Sequence, residues 1–169
     1  RRISPDYDNY EIGIYGISTY KFENFVLDAG LRYDYTHYDA QKFYRKSRWI
    51  ASQYDTNFSH FIVRDIGTQY LTNPKFTYNN ISFSAGINYS FNDYNSLLFN
   101  YGLSNRSPNP SELFSDGLHH SAARIETGDL NLSKETSNRF GTTYKYSKNK
   151  WNLNLEGYIN FIKNFFWFQ

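Results

Sequence analysis

From Ile81 to Phe91 the side chains alternate without a break. Ile81, Phe83, Ala85, Ile87, Tyr89 and Phe91 are apolar or aromatic, and Ser82, Ser84, Gly86, Asn88 and Ser90 lie between them. Side chains on a strand point to opposite faces in turn, so this period of two describes a strand with one apolar and one polar face. The run is also about as long as a tilted strand must be to cross a bilayer.

The same pattern recurs. Phe25, Leu27, Ala29, Leu31, Tyr33 and Tyr35 form one face, against Asp28, Gly30, Arg32 and Asp34. Leu97, Phe99, Tyr101 and Leu103 alternate with Ser96, Asn100, Gly102 and Ser104. Phe140, Thr142, Tyr144 and Tyr146 do so with Arg139, Gly141, Thr143 and Lys145, and Trp151, Leu153, Leu155, Ile159 and Phe161 with Asn152, Asn154, Glu156 and Asn160. A first strand is less clear, because Tyr15 and Ile17 interrupt the face of Ile12, Ile14 and Tyr20. The spacing predicts six strands, at about 10–22, 25–36, 81–91, 96–104, 136–146 and 151–163.

The connections alternate too. Tight turns at 22–25, 92–95 and 147–150 alternate with long segments at about 37–80 and 105–134. Short periplasmic turns and long external loops are the rule for outer-membrane barrels. Phe22, Phe25, Phe91, Tyr94, Tyr146 and Trp151 flank the tight turns, where an interfacial aromatic girdle belongs. Composition agrees: aromatics make up 21% of a chain whose mean hydropathy is −0.71. A disordered chain would be poor in aromatics.

The expected fold is therefore all-β, a transmembrane antiparallel barrel. Six strands are too few to close one, since the smallest have about eight, and an open edge cannot face lipid. Both ends of the chain would lie outside the cell. Nothing at Arg1–Asp6 resembles an export signal. We therefore expect a piece of a larger barrel. A net charge of +2 points to no nucleic-acid partner, and the absence of Cys leaves no thiol metal site.

The long segments hold the candidate chemistry. Asn109 can cap a helical turn over 110–114, with Pro110 at its first position and Glu112 reaching back. All four histidines, His37, His60, His119 and His120, fall in these segments. Imidazole is a common ligand for zinc, copper and haem iron, and Glu112, Asp116, Glu126 and Asp129 supply carboxylates near the adjacent pair. Chance placement in polar loops is the plainer explanation, above all for His37 and His60. A basic run of Lys42, Arg45, Lys46 and Arg48 is interleaved with Phe43, Tyr44 and Trp49. It could grip an anionic chelate, bind lipopolysaccharide phosphates, or be a solvated loop. No nucleophile–base motif and no phosphate-binding loop appears, so no enzyme is expected.

The run Arg106, Pro108, Glu112, Leu113, Phe114, then Gly117 and His119, then Gly128 and Asp129 leading to Glu135, resembles the second half of a TonB-dependent receptor barrel. Receptors of that family carry an R-x-P-x-x-x-E-L-F/Y stretch and a later G-D/N-P turn. Here Leu130 stands where proline is usual. The resemblance implies a 22-stranded barrel closed by a plug domain, with no plug in this chain, and uptake driven through TonB. It implies no intrinsic cofactor; a metal ion or metal chelate (zinc, haem or a ferric siderophore) would be cargo. The Gly-Leu-His arrangement is most similar to zinc receptors, and haem receptors place a histidine comparably. His119 and then His120 are the implied contacts. A structural or adhesive barrel, a passive porin and an enzyme remain as alternatives, in that order.

Overall fold

The computed structural model describes residues 5–119 and 124–165. Six long strands form one antiparallel sheet: β1 (Tyr7–Lys21), β2 (Phe25–Ala40), β6 (Lys75–Asn92), β7 (Asn95–Arg106), β10 (Glu135–Lys148) and β11 (Trp151–Lys163). They lie in that order across the sheet, so each long strand pairs with the next. The first connection between them keeps β3 (Lys42–Arg45), α1 (Lys46–Ala51), α2 (Tyr54–Phe58), β4 (Ile62–Ile66) and β5 (Gln69–Thr72). The second keeps α3 (Pro110–Phe114), β8 (Asp116–His119) and β9 (Arg124–Thr127).

Register makes the alternation a property of the whole sheet. Ile14, Tyr33 and Ile81 stand opposite one another, as do Leu31, Phe83 and Leu103, and then Tyr101, Phe140 and Ile159. All share one face. Arg32, Ser82, Ser84, Gly102, Arg139 and Asn160 share the other. The polar side bears an open hollow of about 600 Å³, lined by those residues and by Tyr15 and Ile17 among others. The uncertain first strand is resolved: Tyr15 and Ile17 sit opposite Arg32 and Gly30, on the polar face. Ile12 and Ile14 sit opposite Tyr35 and Tyr33, on the apolar one.

A sheet with a continuous apolar face and an opposite polar face is the wall of a membrane barrel. The tight turns carry rings at the expected level, and Phe22 stacks on Phe25 with centroids 4.5 Å apart. Asn149 has φ 54°, a conformation asparagine tolerates better than most residues, and so closes the last turn. Placing arginine at Ile87, near the middle of β6, should lower the stability of the full-length receptor in vesicles by about 2–4 kcal/mol. Arginine at the neighbouring Asn88 should cost much less. Denaturant unfolding of the two variants checks the difference.

Three of the strands run well beyond their expected limits. β2 continues to Ala40, not 36; β6 begins at Lys75, not 81; and β1 begins at Tyr7, not 10. The expected loops 37–80 and 105–134 hold five further strands and three helices among the described residues. The reason is a change of partner along β2 and β6. In their outer parts Thr36, Tyr38, Ala40 and Asn80 are buried, and Phe76 and Tyr78 pack on the same cluster. These are even-numbered positions, on the polar-face side of the wall. The ladder continues because a second hydrophobic core covers that side.

That core is aromatic. Tyr44, Trp49, Tyr54, Phe61, Leu113, Phe114 and Leu130 are buried in it with Tyr38 and Ala40. Ring contacts link the wall to the small sheet: Phe76 to Phe58, Phe58 to Tyr54, Tyr54 to Trp49, and Trp49 to Tyr70. The segments expected to be polar loops thus form a packed cap, seated on the lumen side of the wall.

Candidate functional site

The cap is held together by the motif residues. Asn109 Oδ1 accepts from the Glu112 N–H at 2.9 Å, and Glu112 Oε2 accepts from the Asn109 N–H at 2.8 Å. This reciprocal cap, with Pro110 at the first turn, forms α3 where the sequence placed a helical turn. Arg106 at the end of β7 donates to both Glu112 oxygens, at 3.0 and 3.1 Å, and to Glu135 Oε2 at 3.3 Å. One guanidinium therefore joins β7, α3 and β10. Pro108, Leu113 and Phe114 are fully buried beside it.

The other half of the motif closes onto α3. Gly128 N–H donates to Ser115 O at 2.7 Å, and Asp129 N–H to Glu112 O at 2.9 Å. A Cβ at Gly128 would lie 2.5 Å from the Leu113 carbonyl carbon. Only glycine allows that approach, which is the physical meaning of the glycine in the motif. Asp129 Oδ1 accepts from the Tyr54 hydroxyl at 2.9 Å, and that hydroxyl accepts from the Leu130 N–H at 3.0 Å. Burial pushes the Tyr54 phenol up to about 12 and also raises the Tyr44 phenol, so both stay neutral at physiological pH and Tyr54 remains a donor to Asp129.

The basic run is divided by this packing. Lys42 Nζ donates to Phe114 O at 2.7 Å in the core, and Lys46 Nζ pairs with Asp65. Arg48 Nη1 donates to Asp116 Oδ1 at 2.6 Å and its Nη2 to Gly128 O at 3.1 Å. Asp116 opens β8 and Gly128 follows β9, so Arg48 grips both roots of the β8–β9 hairpin. Lys46 and Arg48 thus hold the cap together, and within the run only Arg45 is exposed with no ion pair among the described residues.

The histidines are dispersed. His37 lies on the outer face of β2, with Nδ1 2.9 Å from Thr77 Oγ1. His60 is exposed and its ring lies against Phe61. His119 is on β8, its backbone opposite Arg124, and its side chain lies outside the described residues, as does all of His120. Gly117 stands opposite Glu126 in the same hairpin, and Glu126 is half-buried. Among the described residues no three His, Asp or Glu side chains converge on a point that could hold a metal. Asp116, expected as a carboxylate ligand, pairs with Arg48.

The aromatic core itself was missed by the sequence reading. The available signal was a phase change: apolar residues fall on odd positions from Ile81 onward but on even positions at Phe76 and Tyr78. A strand that changes its apolar face has changed what covers it.

A family profile described as "TonB dependent receptor-like, beta-barrel" matches residues 1–166. Among solved structures, the chain superposes on "Copper transporter OprC" with a TM-score of 0.66 at 18% identity, over 96% of this chain and 22% of that one. It also superposes on the Serratia marcescens hemophore receptor HasR, solved as a double mutant with its hemophore HasA and heme. There the TM-score is 0.61 at 16% identity, over 95% of this chain and 26% of that one. The chain thus spans about a quarter of the length of each of these proteins.

Proposed function

The chain belongs to the TonB-dependent receptor β-barrel family, and from that premise we propose that it is the part of an outer-membrane receptor that carries a cap over the mouth of an uptake channel. The cargo is a scarce nutrient, a metal ion or a metal chelate. The observation that carries this reading is the cap, built on the lumen side of the wall by the family's own motif residues. A passive pore needs an open lumen, whereas a receptor needs an ordered surface across its entrance.

The reading makes the protein a transporter and not an enzyme. It requires a plug domain and TonB, both beyond this chain, and outer-membrane lipid around the apolar face. The two structural neighbours are a copper transporter and a hemophore receptor solved with heme, which supports metal cargo. This stretch has no Met and no Cys. It would contribute nitrogen and oxygen donors, which suit zinc, copper(II) or haem better than copper(I). His119 and His120 are the candidates; the backbone of His119 ends β8, in the hairpin whose roots Arg48 fixes.

The test is growth and uptake in cells lacking the full gene, supplied in turn with zinc, copper, haem or a ferric chelate as the limiting source. One source should fail, the intact gene should restore it, and collapse of the proton gradient should abolish the restored uptake. His119→Ala or His120→Ala should weaken it. Normal uptake of every source, together with a changed cell surface, would instead identify a structural barrel subunit.

A further inference from the structure

The lipid side of the wall is not smooth. A hollow of about 560 Å³ opens on the outward face of β2, β6, β7 and β10. These are the four inner strands of the six, so strands pairing with β1 or β11 to extend the wall would not cover it. Two outward rows frame the hollow. Ala29, Ala85, Tyr101 and Phe140 stand in register in one, and Leu27, Ile87 and Phe99 in the other. The two alanines make the depression, because the outward neighbours along their strands are large: Leu31 and Phe83 on one side, Leu27 and Ile87 on the other. Between the rows Asp28 and Asn100 turn their side chains to the lumen, so the floor there is backbone. The Tyr101 ring closes one side, with its centroid 4.8 Å from that of Phe140 and 6.2 Å from that of Phe83.

Three physical arguments identify the occupant. The first is chemistry. Of the outward side chains named, only Tyr101 carries a polar atom, and its hydroxyl donates to Asn138 Oδ1 at 2.9 Å. A water needs two to four polar partners, so the hollow cannot hold one. Left empty, its lining would forfeit dispersion contacts. The second is size. Three strand spacings by two side-chain rows give a face of roughly 14 by 13 Å, on the order of 200 Å². A stable protein interface needs about 800 Å² from each partner. The face suits a hydrocarbon chain and is too small for a protein.

The third is depth. On β6, Ala85 lies six residues from Asn79 and six from Phe91. Asn79 Oδ1 accepts from the Tyr33 hydroxyl at 2.6 Å and marks the polar outer edge of the band. Phe91 belongs to the aromatic girdle at the tight-turn end. With a rise of about 3.3 Å per residue and a tilt of about 40°, each interval spans roughly 15 Å along the membrane normal, half of the about 30 Å hydrocarbon core. The alanines therefore sit at the bilayer midplane. Leu27, Ile87 and Phe99 come next toward the tight turns, so the hollow extends into the periplasmic leaflet. That leaflet of an outer membrane is phospholipid. A chain of the outer glycolipid would have to cross the midplane to fill the hollow.

We propose that the hollow floored by Ala29 and Ala85 binds one acyl chain of a periplasmic-leaflet phospholipid, which stays with the receptor as a bound lipid and does not exchange as boundary lipid does. The site is independent of the cargo.

The experiment is native mass spectrometry of the full-length receptor, extracted from its own outer membrane in mild detergent. The wild type should carry one phospholipid through delipidating washes. Ala85→Leu and Ala29→Leu each fill the hollow with apolar volume and add no polar group to the band. Each should lower phospholipid retention at least fivefold while the unheated protein keeps its folded mobility on gels. Ile81→Phe enlarges an outward side chain of β6 outside the hollow and should retain lipid as the wild type does. Equal retention by wild type and both filled variants overturns the site. So does a wild type that retains no lipid or only lipid A, or an equal loss in Ile81→Phe.

Discussion

Gly128→Ala should dismantle the cap while leaving the barrel wall in place. The added methyl would sit 2.5, 2.6 and 2.7 Å from three backbone atoms of Leu113 and Phe114. None belongs to a flexible side chain that could swing aside. The substitution must therefore push the β8–β9 root off α3. That breaks the Gly128–Ser115 and Asp129–Glu112 bonds, and with them the two contacts of Arg48 at the hairpin root. The two lost backbone hydrogen bonds at about 1 kcal/mol each, plus overpacking of about 1–3 kcal/mol, give a local loss of roughly 3–5 kcal/mol before the Arg48 contacts are counted. The expected readout is rapid protease cleavage and fast amide exchange between residues 107 and 134. The six long strands should keep their exchange protection. Cleavage no faster than in the wild type would show that the glycine is not required by packing.

Trp49→Ala should have an effect of similar size on the other half of the cap. Trp49 is fully buried, with Tyr44 and Tyr54 rings at 5.3 Å and Tyr70 at 6.1 Å. Truncation of a buried tryptophan costs about 3–5 kcal/mol. The segment between β2 and β6 should then lose its exchange protection before the wall does. Trp49→Phe makes the comparison sharper. Among the described residues Trp49 Nε1 has no hydrogen-bond partner, so phenylalanine keeps the ring contacts and gives up no such bond. It should cost under half as much as alanine. Equal losses for the two variants would contradict the packing argument.

How much of this could be read from the chain differs by region, for physical reasons. The membrane part was readable because lipid and water impose a strict period of two on every strand. Hence the tight turns and the apolar face emerged from residues such as Ile87 and Phe99 alone. The α3 cap was readable because Asn109, Pro110 and Glu112 form a local pattern whose hydrogen bonds span three residues. The aromatic cap was not. Its core joins Trp49 to Phe114 and Leu130, far apart in sequence, and short elements such as β3 and α1 have no periodicity long enough to register. The partners of the basic run were hidden for the same reason. Nothing local to Arg48 announces Asp116, which lies in the other long segment.

The measurement that tests the central claim most directly is a spin-label scan of Phe76 to Phe91 in the full-length receptor in vesicles, one cysteine at a time. Accessibility to oxygen reports lipid, and accessibility to a water-soluble nickel chelate reports the aqueous lumen. From 81 to 91 oxygen should favour odd positions and the nickel chelate even ones, following the register of β6. At Phe76, Tyr78 and Asn80 both reagents should be excluded, because the cap covers that side. Free access of the nickel chelate at those three positions, or oxygen on the even side of 81–91, would contradict a lipid-facing wall with a cap folded over its lumen side.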